Sequence, residues 1–248
     1  MSSDWKASGF NERIVEASLK RGSKVVLALD FAGPYGERLD KAVRVLDKTK
    51  EYLAAVKVNH HLLLPFGLQG IQAVIDTCKD EGLPLIADLK MNDIESTNMN
   101  IVDALLDYGF DAVIANPFVG REEGLGKVIE RVHSKKGGIL LLVYMSHKGA
   151  DEGYSLRLEG GEPLYRVFAE RAKIWGADGV IVSAKSAERI AETRQIVGSK
   201  CLIFSPGVGA QGGDATSGIS AGANFVLVGR AITESHDPAK IAAQLQSS

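Results

Sequence analysis

Asp88, Lys90 and Asp93 spell D-x-K-x-x-D in the stretch PLIADLKMNDIESTN, where an apolar run suited to a buried strand ends abruptly in charge. Side chains alternate across a strand, so Asp88 and Lys90 share one face while Leu89 turns to the other. A carboxylate and an ammonium buried side by side must be paired, because either alone is costly to remove from water. A lysine held in this way is a fixed positive charge with a proton to give. The same residues also fit a structural ion pair, with Asn92 or Asp93 capping the next helix; Asn92 and Glu95 have the spacing of a capping box.

What such a cluster does depends on the elements that carry it. Short β-branched or Leu-rich runs recur along the chain: KVVLALD, LAAVKVN, PLIADLK, DAVIANP, GILLLVYM, DGVIVSA, CLIFSPG and NFVLVGR. Segments with helical spacing follow, such as Leu39, Val43 and Leu46 after the first run, Val102, Leu105 and Leu106 after the third, and Ile190 and Ile196 after the sixth. Strand-helix units in unbroken succession, without a linker or composition break, predict one (β/α)8 barrel over residues 1–248, with residues 1–22 as an N-terminal helical extension. A doubly wound sheet is the competing architecture, and near-continuous apolar strands fit parallel pairing in both.

The strand ends favour the barrel. Asp30 ends the first run, Lys57 lies near the end of the second, Asp88 and Lys90 end the third, and Ser146 ends the fifth. The seventh runs into PGVGAQGG from Pro206, and the eighth ends in Gly229-Arg230. A barrel brings these positions to one mouth, on the face where barrel enzymes carry their chemistry. Five charges from four strands on one rim would repel or waste burial unless they served a ligand.

The length of 248 residues, 45% hydrophobic and 24% charged, is enough for a full core. A net charge of −2 gives no footprint for nucleic acid, and no basic run suggests a membrane surface. MSSDWKASGFNER has no apolar leader core, and no apolar stretch is long enough to span a bilayer, so a cytoplasmic location is expected. Cys78 and Cys201 lie far apart and read as two buried thiols of a reducing compartment.

Gly207, Gly209 and Gly212 spell G-x-G-x-x-G, yet too little βαβ structure follows for a dinucleotide fold. A glycine loop after the seventh strand, with Arg230 after the eighth, instead suits a phosphate dianion; an ordinary tight turn and a surface arginine is the plainer alternative. His60, His61, His133, His147 and His236 lack metal-ligand spacing, and His60-His61 fit a helix start, so no metal site is expected. GREEGLGKV departs from P-loop spacing and lacks Ser or Thr after Lys127. The polar stretch His147–Pro163 follows the fifth strand directly, and its place on the rim suggests a lid.

Taken in order, ALD, KVN, ADLKMNDIESTN, MSHKGA, PGVGAQGG and VGRAI resemble the orotidine 5′-phosphate decarboxylase family over nearly the whole chain. The resemblance implies conversion of orotidine monophosphate to UMP with loss of CO2, in a homodimeric barrel with no metal or organic cofactor. By that resemblance Lys90 would protonate C6 and Asp88 would face the substrate carboxylate, while Asp30 and Lys57 would hold the ribose hydroxyls. Asp93, Ile94 and Thr97 would reach into the neighbouring subunit's site. Ser146 would read the pyrimidine, Gln211, Gly229 and Arg230 would hold the phosphate, and Pro206 would join the substrate-binding set. Sugar-phosphate lyases such as 3-keto-gulonate 6-phosphate decarboxylase and hexulose-phosphate synthase resemble this pattern but are magnesium-dependent, with an acidic ligand where this chain has Lys57. A third alternative is a non-catalytic phosphate-binding barrel, which need not keep Asp88, Lys90 and Asp93 together.

Overall fold

The computed structural model describes residues 8–31, 33–207 and 215–247. The eight apolar runs become eight parallel strands: β1 Val25–Ala28, β2 Ala55–Asn59, β3 Leu85–Met91, β4 Ala112–Ala115, β5 Gly138–Tyr144, β6 Gly179–Val182, β7 Leu202–Pro206 and β8 Phe225–Val228. Each pairs with its sequence neighbours and β8 returns to β1, closing a (β/α)8 barrel. The doubly wound alternative is thereby removed.

Strand alternation sorts the apolar residues into two cores. Val26, Ala55, Ile86, Ile114, Leu140, Leu142, Ile181, Phe204 and Leu227 face the barrel interior. Their neighbours Leu27, Val56, Leu85, Ala87, Val113 and Leu141 face outward against the surrounding helices. Leu89 joins the outer set, as the alternation requires.

The helix Phe10–Arg21 closes the bottom of the barrel. Phe10 and Ile14 are fully buried in the interior cluster, and Phe10 stacks on Phe204, which stacks on Phe225. Gly138 opens β5 because a Cβ there would stand 2.3 Å from Phe10 Cδ1. Arg13, also buried, is held by Asp111 Oδ1 at 3.0 Å and the Lys136 carbonyl at 3.1 Å, so the charge entering the bottom layer is paired.

The upper rim departs from regularity at two strands. Pairing of β3 with β4 shifts between Ala87 and Met91, and pairing of β5 with β6 shifts between Leu142 and Tyr144. In β3 the bulge coincides with Lys90 in a left-handed conformation, φ 48°, which is uncommon for a residue with a Cβ. The helix after β3, Glu95–Tyr108, is capped differently from the sequence expectation. Its N-cap is Ile94, with Glu95 the first helical residue, so Asn92 and Glu95 form no capping box. Asp93 Oδ1 instead accepts from the Ile94 N–H at 2.7 Å.

The stretch proposed as a lid is not a structureless loop. It contains a short helix, Ala150–Tyr154, and an antiparallel bridge between Arg157 and Pro163. Tyr154 packs on Tyr144 and Phe168 of the outer layer.

Candidate active site

The charges come from the upper ends of β1, β2 and β3, with two of them, Asp88 and Lys90, spaced two residues apart on β3. Asp30 lies two residues past the end of β1, Lys57 lies inside β2, and Asp88 and Lys90 lie inside β3. Parallel register sets Asn59 opposite Asp88 and Lys57 opposite Ile86, so the long Lys57 side chain reaches up two residues to meet Asp88. Lys57 Nζ is 2.7 Å from Asp88 Oδ2 and 3.2 Å from Asp30 Oδ1. Lys90 Nζ is 2.6 Å from Asp88 Oδ1. The four side chains therefore form one line of alternating charge, Asp30–Lys57–Asp88–Lys90.

Burial is deepest in the middle of that line. The side chains of Lys57 and Asp88 are 4% and 8% exposed, whereas that of Lys90 is 34% exposed. Burial alone would raise the Asp88 carboxyl, but Lys57 and then Lys90 outweigh it and bring its pKa down to about 2. Burial would likewise lower the Lys57 ammonium, and Asp88 and Asp30 overcome it, so its pKa is raised. Both inner charges are fixed by their partners, leaving Asp30 and Lys90 as the members with a face toward open space, and Lys90 as the cation of the two.

That space is a cavity of about 430 Å³ at the C-terminal mouth of the barrel. The charged line forms one wall and Ile114, Leu142, Ile181 and Leu227 form an apolar floor. Ser146 and Met145 enter from β5, and Pro206, Gly207, Gly229 and Arg230 from β7 and β8. Gly207 has φ 102°, a conformation open to glycine at low cost, so the chain can turn sharply at the cavity edge. The mouth thus brings together Asp30, Lys57, Asp88, Lys90, Ser146, Pro206, Gly229 and Arg230, as the barrel reading requires. Gln211 lies outside the described residues.

Asp93, Ile94 and Thr97 do not line this cavity. They are exposed at the start of the helix Glu95–Tyr108, and Ile94 leaves 61% of its surface open. No side chain of 147–163 lines it either. The sequence reading missed Asn59, His61 and Glu234, which do. Asn59 could have been found, because it follows Lys57 by two residues on the inward face; its side chain caps the next helix by accepting from the His61 N–H at 2.8 Å. His61 carries no such signal, since it lies beyond the strand. Among the described residues no group of three or more His, Cys, Asp or Glu comes together as a metal site. No helix among them is long and apolar enough to cross a membrane.

A closed (β/α)8 barrel with a lysine-carboxylate line, Gly229 and Arg230 gathered at its C-terminal mouth has the layout of a barrel enzyme. The chain belongs to the orotidine 5′-phosphate decarboxylase / HUMPS family, whose model matches residues 23–245. It is 38% identical over 221 residues to the orotidine 5′-phosphate decarboxylase of Pyrococcus abyssi, covering 89% of this chain and 96% of the relative. The solved orotidine 5′-phosphate decarboxylase of Pyrococcus horikoshii superposes with a TM-score of 0.73 at 33% identity, covering 90% of this chain and 97% of that one. The Methanocaldococcus jannaschii orotidine 5′-monophosphate decarboxylase, solved with the inhibitor BMP, superposes with a TM-score of 0.76 at 29% identity over 91% of this chain and 97% of that one.

Proposed function

We propose that this chain, a single cytoplasmic barrel domain, converts orotidine 5′-phosphate to UMP and CO2 in pyrimidine nucleotide synthesis, with Lys90 protonating C6 and without metal or organic cofactor. The observation that carries the reading is the wedging of Lys57 between Asp30 and Asp88. It leaves Lys90 as the more exposed of the two cations that line the cavity. The same wedge bears on the magnesium-dependent lyases of the wider family. An ammonium already fills the gap between the two carboxylates, so a divalent ion there would meet like charge at contact distance.

The chemistry follows from what such a site can supply. Breaking the C6–carboxylate bond releases CO2 and leaves an electron pair on C6. A fixed ammonium close to that carbon stabilises the pair, and transfer of one Lys90 N–H proton forms the C6–H bond. Lys90, then an amine, regains a proton from water. Asp88 holds Lys90 in place at 2.6 Å and faces the departing carboxylate. Asp30 and Lys57 receive the ribose hydroxyls; Ser146 reads the pyrimidine; Pro206, Gly229, Arg230 and the glycine loop with Gln211 enclose the phosphate. Asp93, Ile94 and Thr97, exposed and outside their own cavity, are available to complete the site of a second copy in a homodimer.

The test is an ultraviolet assay of orotidine monophosphate with purified protein, before and after exhaustive chelation. Full activity after chelation, and loss of turnover in Lys90→Ala with UMP binding retained, is the expected result. Activity restored only by added magnesium would favour the lyase reading, and an active Lys90→Ala enzyme would remove Lys90 from its role.

A further inference from the structure

The bulge in β5 does more than end a strand. Leu142 opposes Ile181 and Tyr144 opposes Val182, so β5 holds one residue more than β6 over this step. Below the bulge Leu142 faces the barrel interior; beyond it Tyr144 packs outward against Tyr154 and Tyr165, at centroid distances of 5.4 and 5.6 Å. Met145 and Ser146 then line the cavity. Bulges re-aim side chains in this way, but only if something holds the displaced residue.

Three side chains hold it. The Tyr144 hydroxyl donates to Asp151 Oδ1, in the short helix Ala150–Tyr154. The same oxygen accepts from Ser155 Oγ at 2.9 Å and Arg189 Nη2 at 2.8 Å. The Arg189 guanidinium also lies 4.2 Å over the Tyr144 ring, while the Tyr144 carbonyl accepts from the Ser183 N–H at 3.1 Å. Hydrogen bonds from Tyr144 and Ser155 lower the Asp151 carboxyl, so it accepts as a carboxylate at neutral pH. Met145–Ala150 is thus a loop whose two ends are tied to each other, and Ser146 sits on it.

We propose that Tyr144 and Asp151 are a positioning pair: their hydrogen bond closes the Met145–Ala150 loop and fixes Ser146 toward the base of a bound pyrimidine nucleotide, without either residue touching the ligand. This rests on the substrate proposed above. A pair acting in this manner governs recognition of the base and leaves recognition of the sugar phosphate alone.

The full chain is compared with Tyr144→Phe, Asp151→Ala and Asp151→Asn by calorimetry against UMP and ribose 5-phosphate, and by kinetics on orotidine monophosphate. Tyr144→Phe and Asp151→Ala are expected to weaken UMP by about three- to tenfold, the scale of one lost hydrogen bond, with KM rising in step and kcat moving less. Ribose 5-phosphate affinity should stay unchanged. Asp151→Asn still accepts from the tyrosine and should remain within about twofold of wild type. Equal weakening of both ligands, or of neither, overturns the proposal. Amide exchange gives a readout that needs no ligand: Met145–Ala150 should exchange faster in Tyr144→Phe and Asp151→Ala while β5 is unchanged, and undisturbed exchange would refute the pair. Wild-type protein that binds ribose 5-phosphate but not UMP would instead sink the substrate assignment, with the exchange result still deciding the pair.

Discussion

Removing Lys57 tests the charged line at its centre. Lys57→Ala takes away the ammonium 2.7 Å from Asp88 and 3.2 Å from Asp30, leaving a buried carboxylate with Lys90 as its remaining partner. The fall of the Asp88 pKa from its usual 3.8 to about 2 corresponds to about 2 kcal/mol of preference for the charged form. Without Lys57, burial becomes the dominant influence and turns that preference into a penalty. Breaking a buried pair from one side costs about 3–5 kcal/mol, and the surviving Lys90 contact sets the expectation at the lower end, about 3 kcal/mol at pH 7.

The pH dependence gives the reasoning its sharpest form. In the intact protein the folded pKa of Asp88 lies below the unfolded one, so its contribution is present above about pH 4 and is lost as pH falls toward 2. In Lys57→Ala the folded carboxyl is raised instead, and acid relieves the protein by protonating it. Both effects narrow the stability gap between the two proteins, by about half or more between pH 7 and pH 3. Urea titrations at a series of pH values measure that gap directly, and adding Asp88→Asn to Lys57→Ala should recover much of the lost stability while leaving the enzyme dead. A gap independent of pH, or no recovery in the double variant, would refute the idea that the four charges act as one unit.

Arg230→Ala should cripple turnover of orotidine monophosphate beyond the loss of one charge-assisted contact, about 1.5–3 kcal/mol, yet barely change turnover of the bare nucleoside; equal losses on both would mean a general role in the fold. Mixing inactive Lys90→Ala and Asp93→Ala chains under exchange conditions should regenerate an intact site in each heterodimer, and no recovery despite proven exchange would confine Asp93 to its own chain. At the opposite end of the barrel, His133 Nε2 lies 2.9 Å from Asp178 Oδ2, and that hydrogen bond raises the imidazole pKa. Its contribution is therefore full below about pH 6.5 and lost as pH rises through the folded value; because the pair is partly exposed, His133→Gln should lower stability at pH 5.5 by no more than about 1 kcal/mol and leave it unchanged at pH 9.

Much of this was legible because two simple periods carry it. All eight strands were visible as short apolar runs, and the polar residue that ends a run marks the rim, which is why Asp30 and Ser146 were placed there although each lies two residues beyond its strand. Side-chain period says nothing of long-range packing, so the closing of the barrel floor by Phe10 and Ile14 was read only as a helical extension. Local capping rules also failed at Asn92, where the bulge in β3 delays the helix to Glu95. The polar stretch after β5 read as an open lid because the short helix Ala150–Tyr154 is held by tertiary contacts to Tyr144 and Arg189, not by its own periodicity. His61 reaches the cavity from a helix start, where no strand period points.

Among the strands, departures from local rules gather at one end of the barrel. The described lower half keeps regular strands, apolar layers and a paired Arg13–Asp111, with a positive φ at Lys136 in the turn before β5, whereas the upper half holds the positive φ of Lys90 inside a strand, the bulges in β3 and β5, and the line of charge centred on Lys57 and Asp88. A non-glycine residue in the left-handed region costs about 1–2 kcal/mol, and buried charges seldom add net stability. Neither would persist unless the surroundings fixed it, and here the closed floor and two-sided strand packing supply that rigidity. Each departure also sits beside a residue that lines the cavity: one bulge at Asp88 and Lys90, the other at Met145 and Ser146. Strain placed this way does not aid folding, which ties it to aiming these side chains before any ligand arrives, the condition under which fixed charges are most effective in lowering a barrier.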